Sequence, residues 1–286
     1  MCRLAGAVGS RARFIKRDCP FNFEGSMTSP LDTAARFNRI SAVYDETRQP
    51  LTAEALDKVA GVLSRDGVTR ILEAGVGTGR IAVPLQERGL QIVGVDLARE
   101  MLTRARGKGV RDLILADANR LPLREREFDA ALMAHVIHLL EDPAETFESL
   151  RRVATKEIVI FVRDRDGVPE ADDGRAGFRD AFRKAAAELG YQVPERRGGW
   201  WDGFRKEKEF LASHPPTEVV TVEDREVITT IRERLSFFEG RSFGYQAEIP
   251  EEAVRKIRDR VLETVDADKE VVFRRVEKMA IWRLSY

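Results

Sequence analysis

Cysteine is nearly absent from this chain: Cys2 and Cys19 are the only two in 286 residues. That excludes a disulfide scaffold and a cysteine-built metal centre, both of which need more thiols at suitable spacing. No stretch approaches the roughly 20 apolar residues of a membrane-spanning helix, so membrane insertion is not expected. Neither charge is in surplus, because 48 Lys and Arg stand against 48 Asp and Glu. A protein that lives on nucleic-acid phosphates usually carries a basic excess, so nucleic acid is demoted as a partner. Histidine is scarce, and the pair His135 and His138 lacks further ligands at metal-binding spacing, so no metal is expected. What remains is a cytoplasmic globular protein, long enough for one large α/β domain with an accessory layer.

Residues 1–27 hold Arg3, Arg11, Arg13, Lys16 and Arg17 among scattered Gly and Ser, without helical or strand periodicity. The LAGAVG run is too short for a secretory signal, and an Arg-rich, acid-poor start also marks organellar transit peptides. Residues 1–30 are read as a disordered or spurious leader, with Met27 a candidate start. Residues 31–66 form an N-terminal helical cover. In it Asp32 is placed as an N-cap, and Ala35, Ile40, Val43 and Tyr44 follow at helix-like spacing. A second helix carries Leu56, Val59, Ala60 and Leu63 on one face, closed by the turn pair Asp66-Gly67.

From Arg70 onward short apolar runs alternate with amphipathic segments. ILEAG, QIVGVD, DLILAD, FDAALMAH and EIVIFV read as strands; RIAVPLQERG, REMLTRARGKG and PAETFESLRRV read as helices. Strands separated by helices of this length imply right-handed crossovers and a doubly wound, mostly parallel α/β sheet. Residues 67–195 are assigned to this core. In such sheets a ligand sits beyond the carboxyl ends of the strands, where strand order reverses.

The segment ILEAGVGTGRI puts Gly75, Gly77 and Gly79 between a strand and a helix, where the backbone can turn sharply and approach a ligand. The third glycine comes one residue too early for a dinucleotide fingerprint, and Gly-Lys-Ser/Thr, the mark of a P-loop, is missing. Glu73 sits two residues before the first glycine; its carboxylate repels a pyrophosphate and suits a cationic amino group. Asp96 ends the next strand about twenty residues on, where an acid accepts ribose hydroxyls. Leu97 and Met101 are placed at the adenine face, and Asp117 with Ala118 at its edge.

These residues resemble the class I S-adenosylmethionine-dependent methyltransferases. The resemblance rests on the Glu73–Gly79 loop, on VGVDLAREML and on ADANRLPLREREFDAALMAHVIHLLED, the last similar to the small-molecule branch with the ubiquinone and menaquinone C-methyltransferases. FNRISAVYDETRQPL is similar to that branch's N-terminal cover, although Gln49 separates Arg48 from Pro50. The resemblance covers about residues 33–163 and implies a Rossmann-like fold and S-adenosyl-L-methionine as cofactor. It implies that Glu73, Ala74 and the three glycines hold the methionine amino group and backbone, Asp96 the ribose, and Asp117 with Ala118 the adenine. Ala134 completes that set, and Tyr44 and Arg48 lie over the methionine end, the Arg positioned to pair with a carboxylate.

His135 follows an apolar run and falls at a strand's carboxyl end; His138 follows at i+3 and is placed at the start of the next helix. With an ordinary pKa near 6.5 either is suited to act as a base, and these two are the catalytic candidates. Methyl transfer also proceeds on alignment alone, which lowers barriers by about 7–11 kcal/mol in well-oriented systems.

After Val162 the pattern loosens. Phe178, Phe182, Ala185 and Leu189 mark one helix stopped by Gly190. Val227, Ile231 and Leu235, spaced by four, read as a second, and Val254, Ile257, Val261 and Val265 as a third. Residues 196–270 are read as a helical lid inserted near the last strands, and 271–286 as the closing strand of the core sheet. Trp200 and Trp201 are placed in an edge strand or a pocket wall; with Phe237, Phe238, Phe243 and Tyr245 they suit a small apolar or aromatic acceptor. The expected function is therefore methyl transfer to a small molecule. An RNA or protein methyltransferase on the same fold, or a non-catalytic cofactor-binding protein, are the alternatives. AHVIH stands where enzymes methylating base amino groups carry Asn/Asp-Pro-Pro-Tyr/Phe, which disfavours that chemistry.

Overall fold

Near-continuous apolar runs such as Ile71-Leu72 and Ala130–Met133 suit strands covered on both faces, as parallel sheets require. The computed structural model describes residues 30–46, 48–163, 175–191, 200–239 and 251–285. Its sheet has seven strands in the order β3-β2-β1-β4-β5-β7-β6. They are β1 (Arg70–Ala74), β2 (Gln91–Asp96), β3 (Asp112–Leu115), β4 (Phe128–Ala134), β5 (Ala154–Arg163), β6 (Glu218–Thr230) and β7 (Glu270–Arg283). β1 to β5 are mutually parallel; β7 runs antiparallel to β5 and to β6. The order reverses between β1 and β4, so the ligand crevice lies above those two strands.

Helices cover both faces. One core cluster joins α2 (Ala53–Ser64), α3 (Ala82–Glu87) and α4 (Arg99–Gly107) to the sheet through Leu63, Leu85 and Leu102, all fully buried. The opposite cluster joins α5 (Pro143–Val153) and α7 (Trp200–Ser213) through Phe147, Leu150 and Phe210, packed on Trp282 of β7. A third, separate cluster is built by α6 (Arg175–Glu188), α8 (Ile231–Glu239) and α9 (Glu251–Thr264), with Phe182, Leu235, Ile257 and Val261 inside. The first helix, α1 (Pro30–Ile40), meets α4 through Ile40, Ala98 and Met101, against which Phe37 and Tyr44 pack.

Several expectations need correction. Asp32 lies inside the first turn of α1 and is no N-cap, and Val43 and Tyr44 fall in the turn after the helix. Residues 223–230, expected as helix, belong to β6. The β-branched run Val227-Ile228-Thr229-Thr230 favours a strand. Val227 is buried and Ile228 exposed, the alternation of a half-covered strand. The helix starts only at Ile231, where Thr230 and Glu233 exchange hydrogen bonds as a capping box, 2.9 Å from Thr230 N–H to Glu233 and 3.2 Å in return. Trp200 and Trp201 begin a helix and no edge strand; their side chains, with those of Phe178, Phe237 and Phe238 and the whole of Phe243 and Tyr245, lie outside the described residues, as do Cys2 and Cys19. Leu189, expected on an apolar face, is exposed. β7 pairs with β5 on one side and β6 on the other. No helix among the described residues is long and apolar enough to cross a membrane.

Candidate cofactor and acceptor site

The glycine loop leaves β1 and folds back on β2. Gly75 N–H donates to the Val95 carbonyl at 2.7 Å and Val76 N–H to the same oxygen at 3.0 Å. Gly75, Gly77 and Gly79 all have positive φ, which side chains other than glycine's adopt only with strain. At Gly75 a Cβ would meet Val136, just after β4, at 2.3 Å, whereas at Gly77 nothing lies within 4 Å. The loop is therefore pressed against the β4 exit at one end and open at its middle.

Two acids flank the opening, Glu73 buried and Asp96 half-buried. Asp96 receives Gly77 N–H at 2.8 Å on one oxygen and Ala98 N–H at 2.8 Å on the other. Burial pushes its carboxyl up, against the pull of these backbone donors. An ionised carboxylate has about four acceptor positions, so capacity for ribose hydroxyls is left over. Glu73 on β1 is only 1% exposed, and its Oε2 accepts no hydrogen bond. Burial, with the charge of Asp96 adding, pushes its carboxyl up to about 8. A buried acid without a cationic partner is costly to ionise, and a cationic amino group at this place offsets that cost. The donor set thus fits S-adenosylmethionine, which carries both an ammonium and ribose hydroxyls.

The other residues expected at the site take the following places. Ala74 and Ala134 are the last residues of β1 and β4, and both are buried. Leu97 is half-buried beside Asp96, while Met101 is 1% exposed and enclosed under α1. Asp117, half-buried like Ala118, accepts Asn119 N–H at 2.9 Å and opens the short 3-10 turn Ala118–Arg120. The Arg48 guanidinium stacks 4.8 Å from the Tyr44 ring centre. His135 directly follows β4 with φ of 59°, a left-handed conformation rare outside glycine. His138 does not start a helix: it lies in the separate 3-10 turn Ile137–Leu139, and α5 begins at Pro143 with Asp142 as its cap.

Four residues that complete this region were not singled out by the sequence. Asp45, between Tyr44 and Arg48, accepts Thr78 Oγ1 of the glycine loop at 2.5 Å and is paired with Lys108, so it latches the cover to the cofactor loop. Arg80 donates to the Gln49 carbonyl at 2.6 Å, and Arg275 of β7 reaches the same oxygen at 3.2 Å. Glu277 of β7 lies 3.8 Å from His135 Nδ1. Asp45 was signalled by its adjacency to Tyr44. Arg275 and Glu277 carried no local signal, because they stand among four other charged residues of the strand Glu270–Arg283.

A methyltransferase-domain family model matches residues 72–162, the span from β1 to β5. The phosphatidylethanolamine N-methyltransferase of Cereibacter sphaeroides is 27% identical over 202 residues, covering 66% of this chain and 90% of that protein. An uncharacterized protein of Mycobacterium tuberculosis is 33% identical over 213 residues, covering 65% of this chain and 71% of that one. Among solved structures, a putative type II methyltransferase from Anaeromyxobacter dehalogenans shares the fold, with a TM-score of 0.50, 17% identity and coverage of 82% of this chain and 96% of that one. Loop, acids, strand order and domain match agree: the chain belongs to the class I S-adenosylmethionine-dependent methyltransferases.

Proposed function

We propose that the chain moves a methyl group from S-adenosylmethionine to a small molecule that presents an O–H, N–H or acidic C–H beside His135. When bound, the cofactor supplies an electrophilic methyl on a sulfonium, displaced in line while sulfur keeps the bonding pair. Glu73 and Asp96 hold its ammonium and ribose, and Asp117, Ala118, Leu97 and Met101 frame its adenine. Tyr44 and Arg48, fixed by the Asp45 latch, cover the methionine end and exclude water. His135 takes the acceptor's proton, and His138, three residues on, lines the same mouth. The cluster of α6, α8 and α9 forms the lid over an apolar or aromatic acceptor body. The even charge balance supports a small molecule over RNA.

The observation that carries this reading is Glu73: a buried carboxylate oxygen without a hydrogen-bond donor, next to an open glycine loop. Calorimetry with S-adenosylmethionine tests it. Binding is expected, and is expected to weaken in Asp96→Asn; no binding, or binding indifferent to Asp96, sinks the cofactor assignment. Methyl transfer from labelled cofactor to a panel of phenols, amines and acidic-carbon compounds then tests the base. Unchanged rates in His135→Gln remove it from the mechanism.

A further inference from the structure

Where β6 and β7 pair near β5's carboxyl end, four of their charged residues come together. Glu223 and Glu277 face each other directly across the two strands, and Arg225 faces Arg275. Both acids are buried, at 5% and 2% exposed. Like charges opposite one another are unfavourable, and Arg275 resolves the conflict. Its Nε lies 2.7 Å from Glu223 and 3.5 Å from Glu277. Arg225 adds a contact to Glu223 at 3.4 Å, and Thr52 N–H of the cover donates to Glu223 at 2.9 Å. The pairing register shifts between Thr221 and Glu223, and such bulges re-aim side chains next to functional sites.

The far carboxylate oxygen of Glu277 faces His135. His135 Nδ1 is 3.8 Å from Glu277 Oε2, and the other side of the imidazole packs against Phe161 with ring centres 5.9 Å apart. The left-handed backbone of His135 is a separate observation. A non-glycine residue held there is strained, and such strain concentrates at functional sites. Catalytic pairs are often this long before substrate arrives and tighten in the complex.

We propose that Glu277 is a positioning residue for His135: it accepts the Nδ1 proton, turns Nε2 toward the acceptor, and is itself braced by Arg275. This rests on the reading of His135 as the base. The pair has a chemical reason. A neutral imidazole has one donor and one acceptor nitrogen, and the partner of the first fixes which is which. With Nδ1–H committed to Glu277, the Nε2 lone pair is the one left to take a proton from the acceptor's O–H, N–H or C–H. The imidazolium so formed is stabilised by the same carboxylate. Charged groups beside the pair include Glu223 and Arg225 on β6 and Arg275 on β7. On the cover and loop side Arg80 feels the charges of Arg275, Arg48, Asp45 and Tyr44.

The full chain has three histidines, so each imidazole is resolvable by nitrogen NMR on histidine-labelled protein saturated with S-adenosylhomocysteine. His135→Gln identifies the signal. The expected result in the wild type is the Nδ1–H tautomer for neutral His135, the minor form in water. Glu277→Gln, nearly isosteric, is expected to lower the His135 midpoint by about one pH unit, since an opposite charge at this range raises a histidine's pKa by about that much. Glu277→Asp should fall between. An Nε2–H tautomer in the wild type overturns the proposal, as does a midpoint that Glu277→Gln leaves in place. If Glu277→Gln does not fold, the wild-type tautomer decides alone. The two readings separate cleanly: full methyl transfer by His135→Gln removes the base, while the tautomer still decides whether Glu277 holds the ring.

Discussion

The two sides of the crevice treat buried acid differently. Over β1 and β2, Glu73 has neither a hydrogen-bond donor on Oε2 nor an ion pair among the described residues, and Asp96 is met only by backbone N–H groups. Over β7 and β6, Glu223 and Glu277 are buried like Glu73 but share Arg275. An acid the chain leaves without a counter-charge is matched by a ligand that brings one. An acid neutralised from within holds the protein's own groups in place. The contrast supports the proposed roles, the first pair in binding and the second in holding the protein's own groups.

The most severe way to break that contrast is Arg275→Met, which strands two facing carboxylates. Removing one partner of a buried ion pair costs about 3–5 kcal/mol, so urea unfolding should show a loss of that order. A loss below about 1 kcal/mol erases the distinction. On the other side, Glu73→Gln and Asp96→Asn are expected to keep the fold and lose affinity. A hydrogen bond to a charged group is worth about 1.5–3 kcal/mol, so the dissociation constant measured by calorimetry should rise by about tenfold to a hundredfold.

The third prediction concerns pH. With a folded value of about 8 against 4.5 ordinarily, Glu73 binds its proton more tightly in the native state than in the unfolded one. Its contribution is fully present below pH 4.5 and is lost as pH rises through about 8. Glu73→Gln should therefore melt near the wild type at pH 5 and above it at pH 9, by differential scanning calorimetry without cofactor. Because an ammonium ligand favours the ionised form, binding near pH 7 should release a proton, read as a binding enthalpy that changes with the buffer's ionisation enthalpy. The smallest effect is expected from Lys108→Met, which removes the half-exposed partner of Asp45. Pairs of that exposure contribute about 0.2–1 kcal/mol, and a larger loss of stability would place the latch among the structural pairs.

Sequence legibility follows the same division. β1 to β5 stand out because parallel strands are largely apolar, and α5 is the helix that the period of PAETFESLRRV suggests. The glycines, Glu73 and Asp96 are close in sequence and their spacing carries the chemistry. The β6 strand was misread because Val227, Ile231 and Leu235 also satisfy a helical period, and only the Thr230–Glu233 cap marks where strand becomes helix. The Glu223, Arg275 and Glu277 network could not be seen locally. Its contacts span long sequence separations, 171 residues in the case of Thr52 and Glu223. It depends on an antiparallel register that a bulge shifts by one residue, which moves every side chain to the other face.

The extra residue in the cover has a consequence for variation. Gln49 separates Arg48 from Pro50, yet what Arg80 and Arg275 grip is its carbonyl, an atom every amino acid supplies. Recognition through the main chain is blind to the side chain. In a saturation library selected for folding, position 49 should tolerate nearly every residue, while the arginines that hold it tolerate almost none. The link between the N-terminal cover and the last strand is thereby free to drift in sequence at one end and fixed at the other.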